Sequence, residues 1–99
     1  MENGYNILWT PNALEELEQT IEYLQLHFTD KEIKKLVQKI ESLIEIISQN
    51  PFIFPISESK NIHKLVILEF NTMYYRVNNG SVEILSFFSN RQSPQKRKI

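Results

Sequence analysis

The chain has 99 residues, no cysteine and only two histidines, His27 and His63. The first absence excludes disulfides and thiolate metal centres. The second leaves histidines too few and too far apart for a zinc-binding pattern, so no metal or cofactor is expected. No apolar run approaches the roughly 18 residues needed to cross a bilayer, and no membrane partner is expected. The opening residues, Met1-Glu2-Asn3-Gly4, carry neither a basic cluster nor a following apolar core, unlike a signal peptide. With cysteine missing too, the expected location is the cytoplasm.

Hydrophobic residues make up 41% and charged residues 23%, a balance that suits a globular domain and not a disordered chain. The length is that of one domain, residues 1–99. The net charge of −1 conceals an asymmetry. Residues 1–59 carry ten acids against four bases, whereas residues 60–99 carry seven bases against two acids. A basic second half implies an anionic partner, either nucleic acid or an acidic protein segment.

Tyr5 to Trp9 is rich in β formers and reads as a first strand. Thr10-Pro11 then supplies an N-cap and a proline at the first helical position. Leu14, Leu17, Ile21, Leu24 and Phe28 fall on one helical stripe, with glutamates opposite. Thr29-Asp30-Lys31-Glu32 matches a capping box for a second helix. Its stripe is Ile33, Leu36, Val37, Ile40, Leu43, Ile44 and Ile47, and it should stop at Asn50 because Pro51 follows. With almost no residues between them, the helices must form an antiparallel hairpin. The aromatics of Pro51-Phe52-Ile53-Phe54-Pro55 either plug the core edge or face a partner.

From Ile62 the pattern is β: a run containing Val66-Ile67-Leu68, then Met73 to Val77, then Val82 to Phe88. Asn79-Gly80 between the last two signals a type I′ hairpin. That turn predicts Val77 opposite Val82, Arg76 opposite Glu83, Tyr75 opposite Ile84 and Tyr74 opposite Leu85. Met73, Tyr75, Val77, Val82 and Ile84 then face the helices, and Tyr74, Arg76, Glu83, Leu85 and Phe87 face outward. The expected fold is α+β, in the order β-α-α-β-β-β. The helical hairpin covers one face of a twisted, mainly antiparallel sheet.

This order resembles the RelE/ParE superfamily of toxins from type II toxin–antitoxin systems. The residues that carry the resemblance are Trp9-Thr10-Pro11-Asn12-Ala13, Asn50-Pro51, Met73 to Gly80, and Val82 to Pro94. The resemblance implies growth inhibition relieved by a cognate antitoxin, in a homodimer or a toxin–antitoxin hetero-oligomer, and a role in plasmid stabilization. It also implies one of two targets. ParE-like members inhibit DNA gyrase by binding, and RelE-like members cleave mRNA on the ribosome. A non-toxic interaction module of the same fold is a third outcome. The ribonuclease pattern places an arginine three residues before its tyrosine, where Thr72 precedes Tyr75 here. It also places a tyrosine or histidine near the C-terminus, and this chain has neither after Tyr75; Ser89 stands where histidine-bearing variants carry their histidine. These departures favour the ParE-like reading.

Candidate catalytic residues, should the chain be a ribonuclease, are His63, Lys64, Arg76 and Arg91, because cleavage needs cations at the phosphate and a general acid or base. Arg76, opposite Glu83, is expected to be a structural cross-strand partner. Lys64, Arg91, Lys96, Arg97 and Lys98 are the expected target-binding residues. Tyr74, Leu85 and Phe87 are the expected antitoxin-binding residues.

Overall fold

The computed structural model describes residues 4–57 and 61–90. The elements are β1 (Asn6–Trp9), α1 (Pro11–His27), α2 (Asp30–Gln49), β2 (Ile62–Ile67), β3 (Asn71–Asn78) and β4 (Ser81–Ser89), in the expected order. The sheet order is β1-β4-β3-β2, with β4 antiparallel to β3 and β3 antiparallel to β2. β1 runs parallel to β4, so the first strand is joined to the last. Among the described residues, no helix is long and apolar enough to cross a membrane.

Thr10 caps α1 as expected. Its hydroxyl oxygen accepts from the Ala13 N–H at 3.2 Å, and Pro11 occupies the first turn. The apolar stripe of α1 is rotated from the expected one. Ala13, Thr20 and Leu24 are buried, while Leu14 and Phe28 are exposed. Ala13 allows a close approach to the sheet, and the Thr20 hydroxyl donates to Glu16 O at 3.0 Å, which lets a polar residue sit in the core. The stripe of α2 is the expected one, with Leu36, Ile40, Leu43 and Ile47 buried. Its capping box is not formed. Thr29 makes no side-chain cap bond; the Glu32 N–H donates instead to the Thr29 carbonyl at 3.0 Å. The helix ends at Asn50, before Pro51.

The helix-facing side of the sheet carries Leu65, Ile67, Met73, Tyr75, Val82, Ile84 and Phe87, which join the helix stripes in one core. The hairpin turn has Asn79 at φ 46° and Gly80 at φ 83°, as a type I′ turn requires. The expected register holds from Val77↔Val82 through Tyr75↔Ile84 and then shifts. Tyr74 lies opposite Ser86, not Leu85, because Leu85 is an extra residue at a bulge. The bulge reverses the inside–outside alternation beyond it. Phe87 therefore points into the core with 1% of its surface exposed, and its expected place on the outer face is corrected.

Candidate functional site

A carboxylate on α1 holds that bulge in place. β1 covers the edge of β4 only as far as Ile84, leaving the edge groups beyond it to find other partners. Thr10 donates to Ile84 O through both its N–H (3.1 Å) and its hydroxyl (2.9 Å). Asn12 Nδ2 donates to Leu85 O at 3.0 Å. Glu16 Oε1 accepts from the Phe87 N–H at 2.8 Å and from Ser86 Oγ at 2.9 Å. Glu16 is thus not one of the solvated glutamates its sequence context suggests. The legible signal was its spacing, since it falls on the stripe shared by Ala13, Leu17 and Thr20.

The outer face of the sheet is read off the register as three rungs. Val66, Thr72 and Phe88 form the first, Lys64, Tyr74 and Ser86 the second, and Ile62, Arg76, Glu83 and Leu8 the third. Leu8, Val66 and Phe88 are exposed, and Tyr74 is half-buried between them. Arg76 is engaged across the strands as expected. Its Nη2 and Nε donate to Glu83 Oε1 at 2.7 and 3.1 Å. The Arg76 guanidinium holds the Glu83 carboxyl below its ordinary range. Lys64 sits directly across from Tyr74 and makes no ion pair among the described residues. The outer face therefore offers one unneutralised cation, a phenol and a flanking apolar surface.

His63 lies on the opposite side of the sheet from Lys64, so these two candidates share no site. His63 is buried and stacked on the Tyr75 ring, with centroids 4.9 Å apart and planes 11° apart. Its Nδ1 lies 2.8 Å from Phe54 O, a pairing that places the proton on Nδ1. Tyr75 donates its own hydroxyl to Pro51 O at 2.7 Å, and burial pushes its pKa up to about 12. Together these bonds tie the 51–57 segment to the sheet, with the Lys64 N–H donating to Pro55 O and the Ser57 N–H to Ile62 O. Pro51 is buried and Phe54 packs on the core, whereas Phe52, Ile53 and Ile56 remain exposed. Phe54 thus plugs the core edge, in line with one of the two readings of the sequence, and Phe52, Ile53 and Ile56 lie on the surface.

Of the other expected site residues, Leu85 lies at the bulge, half-buried. Arg91, Lys96, Arg97 and Lys98 lie outside the described residues. Among the described residues, no cluster of three or more His, Asp or Glu side chains could hold a metal.

Several solved structures share this fold. A chain of the chromosomal ParDE toxin–antitoxin system from P. aeruginosa superposes with a TM-score of 0.73 at 19% identity, covering 89% of this chain and 98% of that one. The YoeB dimer from Staphylococcus aureus gives a TM-score of 0.59 at 25% identity, with 83% and 92% covered. The YoeB–YefM complex from the same organism gives 0.57 at 23% identity, with 84% and 93% covered. No curated protein sequence matches significantly. The family model described as the ParE toxin of the type II toxin–antitoxin system parDE matches residues 7–94. With nearly all of the fold inside that match, the chain belongs to the ParE toxin family.

Proposed function

We propose that this protein is a growth-inhibiting toxin that acts by binding, with DNA gyrase as its target, and that a cognate antitoxin neutralises it. The observation that carries this reading is the separation of the candidate side chains. His63 is held on the helix side by the Phe54 carbonyl, and Arg76 is held by Glu83. Lys64 and Tyr74 remain on the outer face without a carboxylate partner among the described residues. This arrangement suits recognition of an anionic or mixed surface better than the positioned proton transfers of RNA cleavage. Lys64 contributes to target binding in this reading, together with Arg91, Lys96, Arg97 and Lys98.

Antitoxin binding is supported by likeness, since one similar structure is of a ParDE system and another of a YoeB–YefM complex. The surface that suits it is the outer face around Tyr74, with Leu85 beside it and Phe87 withdrawn to the core. A disordered antitoxin tail that folds on binding would cover such a surface. A similar chain has also been solved as a dimer, and self-association of this chain is proposed on the same ground.

The deciding experiment is induction in a bacterial host, with parallel assays of DNA supercoiling and of ribosome-bound mRNA cleavage. Gyrase supercoiling should fall with protein concentration, and mRNA on programmed ribosomes should stay uncut. Lys64→Glu should weaken the inhibition without shifting the melting temperature. The ribonuclease alternative would have to place its chemistry on the one juxtaposed cation and phenol of the outer face, Lys64 and Tyr74. Cleavage in the ribosomal A site, lost in Tyr74→Phe or Lys64→Ala, would establish that alternative. If no neighbouring gene product binds the purified chain in calorimetry, the antitoxin pairing is wrong.

A further inference from the structure

Asn79-Gly80 carries a latent reaction as well as a turn. Asparagine is among the thermolabile residues. It is most reactive before glycine, whose missing Cβ leaves the following backbone nitrogen unhindered. Asn79 and Gly80 are both exposed, and a Cβ at Gly80 would meet nothing within 4 Å among the described residues. Water therefore reaches the pair freely.

The reaction has two steps. The Gly80 backbone nitrogen attacks Asn79 Cγ, and the side-chain amide nitrogen leaves as ammonia, taking up the proton that the Gly80 nitrogen gives up. The product is a five-membered cyclic imide. Water then opens the ring. Opening at Cγ leaves an ordinary aspartate. Opening at the backbone carbonyl carbon leaves an iso-aspartate, in which the chain runs through the former side chain and is longer by one backbone carbon.

The folded turn opposes the first step. Ring closure needs the Gly80 nitrogen to lie nearly eclipsed with Asn79 Cβ about the Cα–C bond. The φ values of 46° and 83° at Asn79 and Gly80 belong to a type I′ turn, whose first central residue has ψ of roughly +30°. With tetrahedral geometry at Cα, that ψ sets the Gly80 nitrogen about 150° round from Cβ, almost opposite to it. Turning Asn79 into the reactive conformation would swing the Gly80 peptide away from its place. The Asn6 N–H donates to Gly80 O at 3.0 Å, and Asn78 pairs with Ser81 across the hairpin. Both contacts would have to break first, so β1 and the β3–β4 ladder together hold the pair in its unreactive shape.

We propose that Asn79-Gly80 is a deamidation site gated by the fold, closed while the hairpin stands and open once it unfolds. Iso-aspartate at this position bars the way back. A two-residue type I′ loop fixes the strand register, and a longer backbone no longer fits it. The Val77↔Val82 and Arg76↔Glu83 pairs and the start of the β1–β4 pairing all depend on that register. A chain left unfolded is thus retired irreversibly, and the inference holds whichever macromolecule the toxin inhibits.

The test incubates the full chain in mildly alkaline buffer, with and without guanidinium chloride, and follows each asparagine by peptide mass spectrometry with iso-aspartate detection. The chain holds a second such pair, Asn3-Gly4, whose asparagine lies outside the described residues and calibrates the chemistry in denaturant. Asn79 should convert at least about 10-fold more slowly in the native chain than in denaturant, because reaction waits on opening of the hairpin. On dilution from denaturant, the fraction that refolds should fall in step with iso-aspartate at position 79. Asn79→Gly keeps a sequence that type I′ turns accept and removes the amide, so that variant should keep its refolding yield. If the variant does not fold, the native-to-denatured ratio on the unsubstituted chain decides alone. Equal rates in the two states, or an Asn79 that stays intact in denaturant while Asn3 converts, overturns the gated site. Refolding of the iso-aspartate chain with an unchanged melting temperature, or an equal loss of refolding in Asn79→Gly, overturns the irreversible retirement.

Discussion

Removing the Glu16 carboxylate should destabilise the fold more than removing any other glutamate side chain of α1. One oxygen, Oε1, accepts from the Phe87 N–H at 2.8 Å, Ser86 Oγ at 2.9 Å and Asn12 Nδ2 at 3.3 Å. In Glu16→Ala the Ser86 hydroxyl and the Asn12 amide can turn to water. The Phe87 N–H is fixed by a backbone whose side chain is in the core and cannot turn. A hydrogen bond to a charged group contributes about 1.5–3 kcal/mol net, and an orphaned, partly buried N–H costs about 1–3 kcal/mol. These are two views of the same loss, so the expected effect is about 2–3 kcal/mol. For a domain of this size that lowers the melting temperature by roughly 8–24 °C. Glu16→Gln keeps an acceptor but loses the charge, and should cost about half as much. Urea denaturation followed by far-UV circular dichroism measures the free energies. Hydrogen exchange at the Phe87 amide locates the effect, since its protection should fall by more than that of Met73 across the sheet. A loss below about 0.5 kcal/mol, with Phe87 protection unchanged, would refute the role given to the carboxylate.

Three further outcomes are expected. Tyr75→Phe removes the donor from Pro51 O and should cost about 1–2 kcal/mol, read by urea denaturation. The Tyr75 phenol is raised from 10.0 to about 12 in the folded chain, so stability should be undiminished below pH 10 and fall as pH rises towards 12; the variant should lose that component of the fall. Glu83 is depressed below its ordinary value of 4.5 by Arg76, so its contribution should be present above that value and disappear as pH falls through the lower folded value. Arg76→Ala should return the Glu83 carboxyl towards its ordinary titration, followed by NMR. Gly80→Ala should cost about 1 kcal/mol and lower the melting temperature by about 4–8 °C. Its Cβ would meet nothing within 4 Å, so the whole cost would come from the φ of +83°.

Local chemistry was legible in the sequence, and long-range chemistry was not. Asn79-Gly80 set the turn and with it three of the four expected residue pairs, because a type I′ turn fixes the alignment of its strands up to the first bulge. Thr10-Pro11 and Asn50-Pro51 marked helix ends through steric rules that act within two residues. The bulge at Leu85 escaped detection because its cause, Glu16, lies on another element far away in the chain, and the misplacement of Phe87 followed from it. The rotation of α1 escaped for a related reason. Leu14 outweighs Ala13 on any hydrophobicity count, but the sheet needs the small residue where the helix comes close. At the candidate site, the Arg76–Glu83 pair was legible from the turn register. The burial of His63 was not, because it depends on Phe54 and Tyr75 closing around it.

The parallel pairing of β1 with β4 has a consequence for how this protein comes into being. The partners of Asn6–Trp9 are residues 81–84, and the clasp at Glu16 needs Ser86 and Phe87. Nothing made in the first half of synthesis can therefore complete the sheet. Only when residues 81–87 have left the ribosome can β1 and α1 meet their partners. Contacts of such long sequence separation slow folding and make it cooperative. Until then the emerging chain holds a helical hairpin with no finished sheet to cover it. The outer face bearing Lys64 and Tyr74 takes shape in the same late event, and a chain truncated before Phe87 should fail to form it.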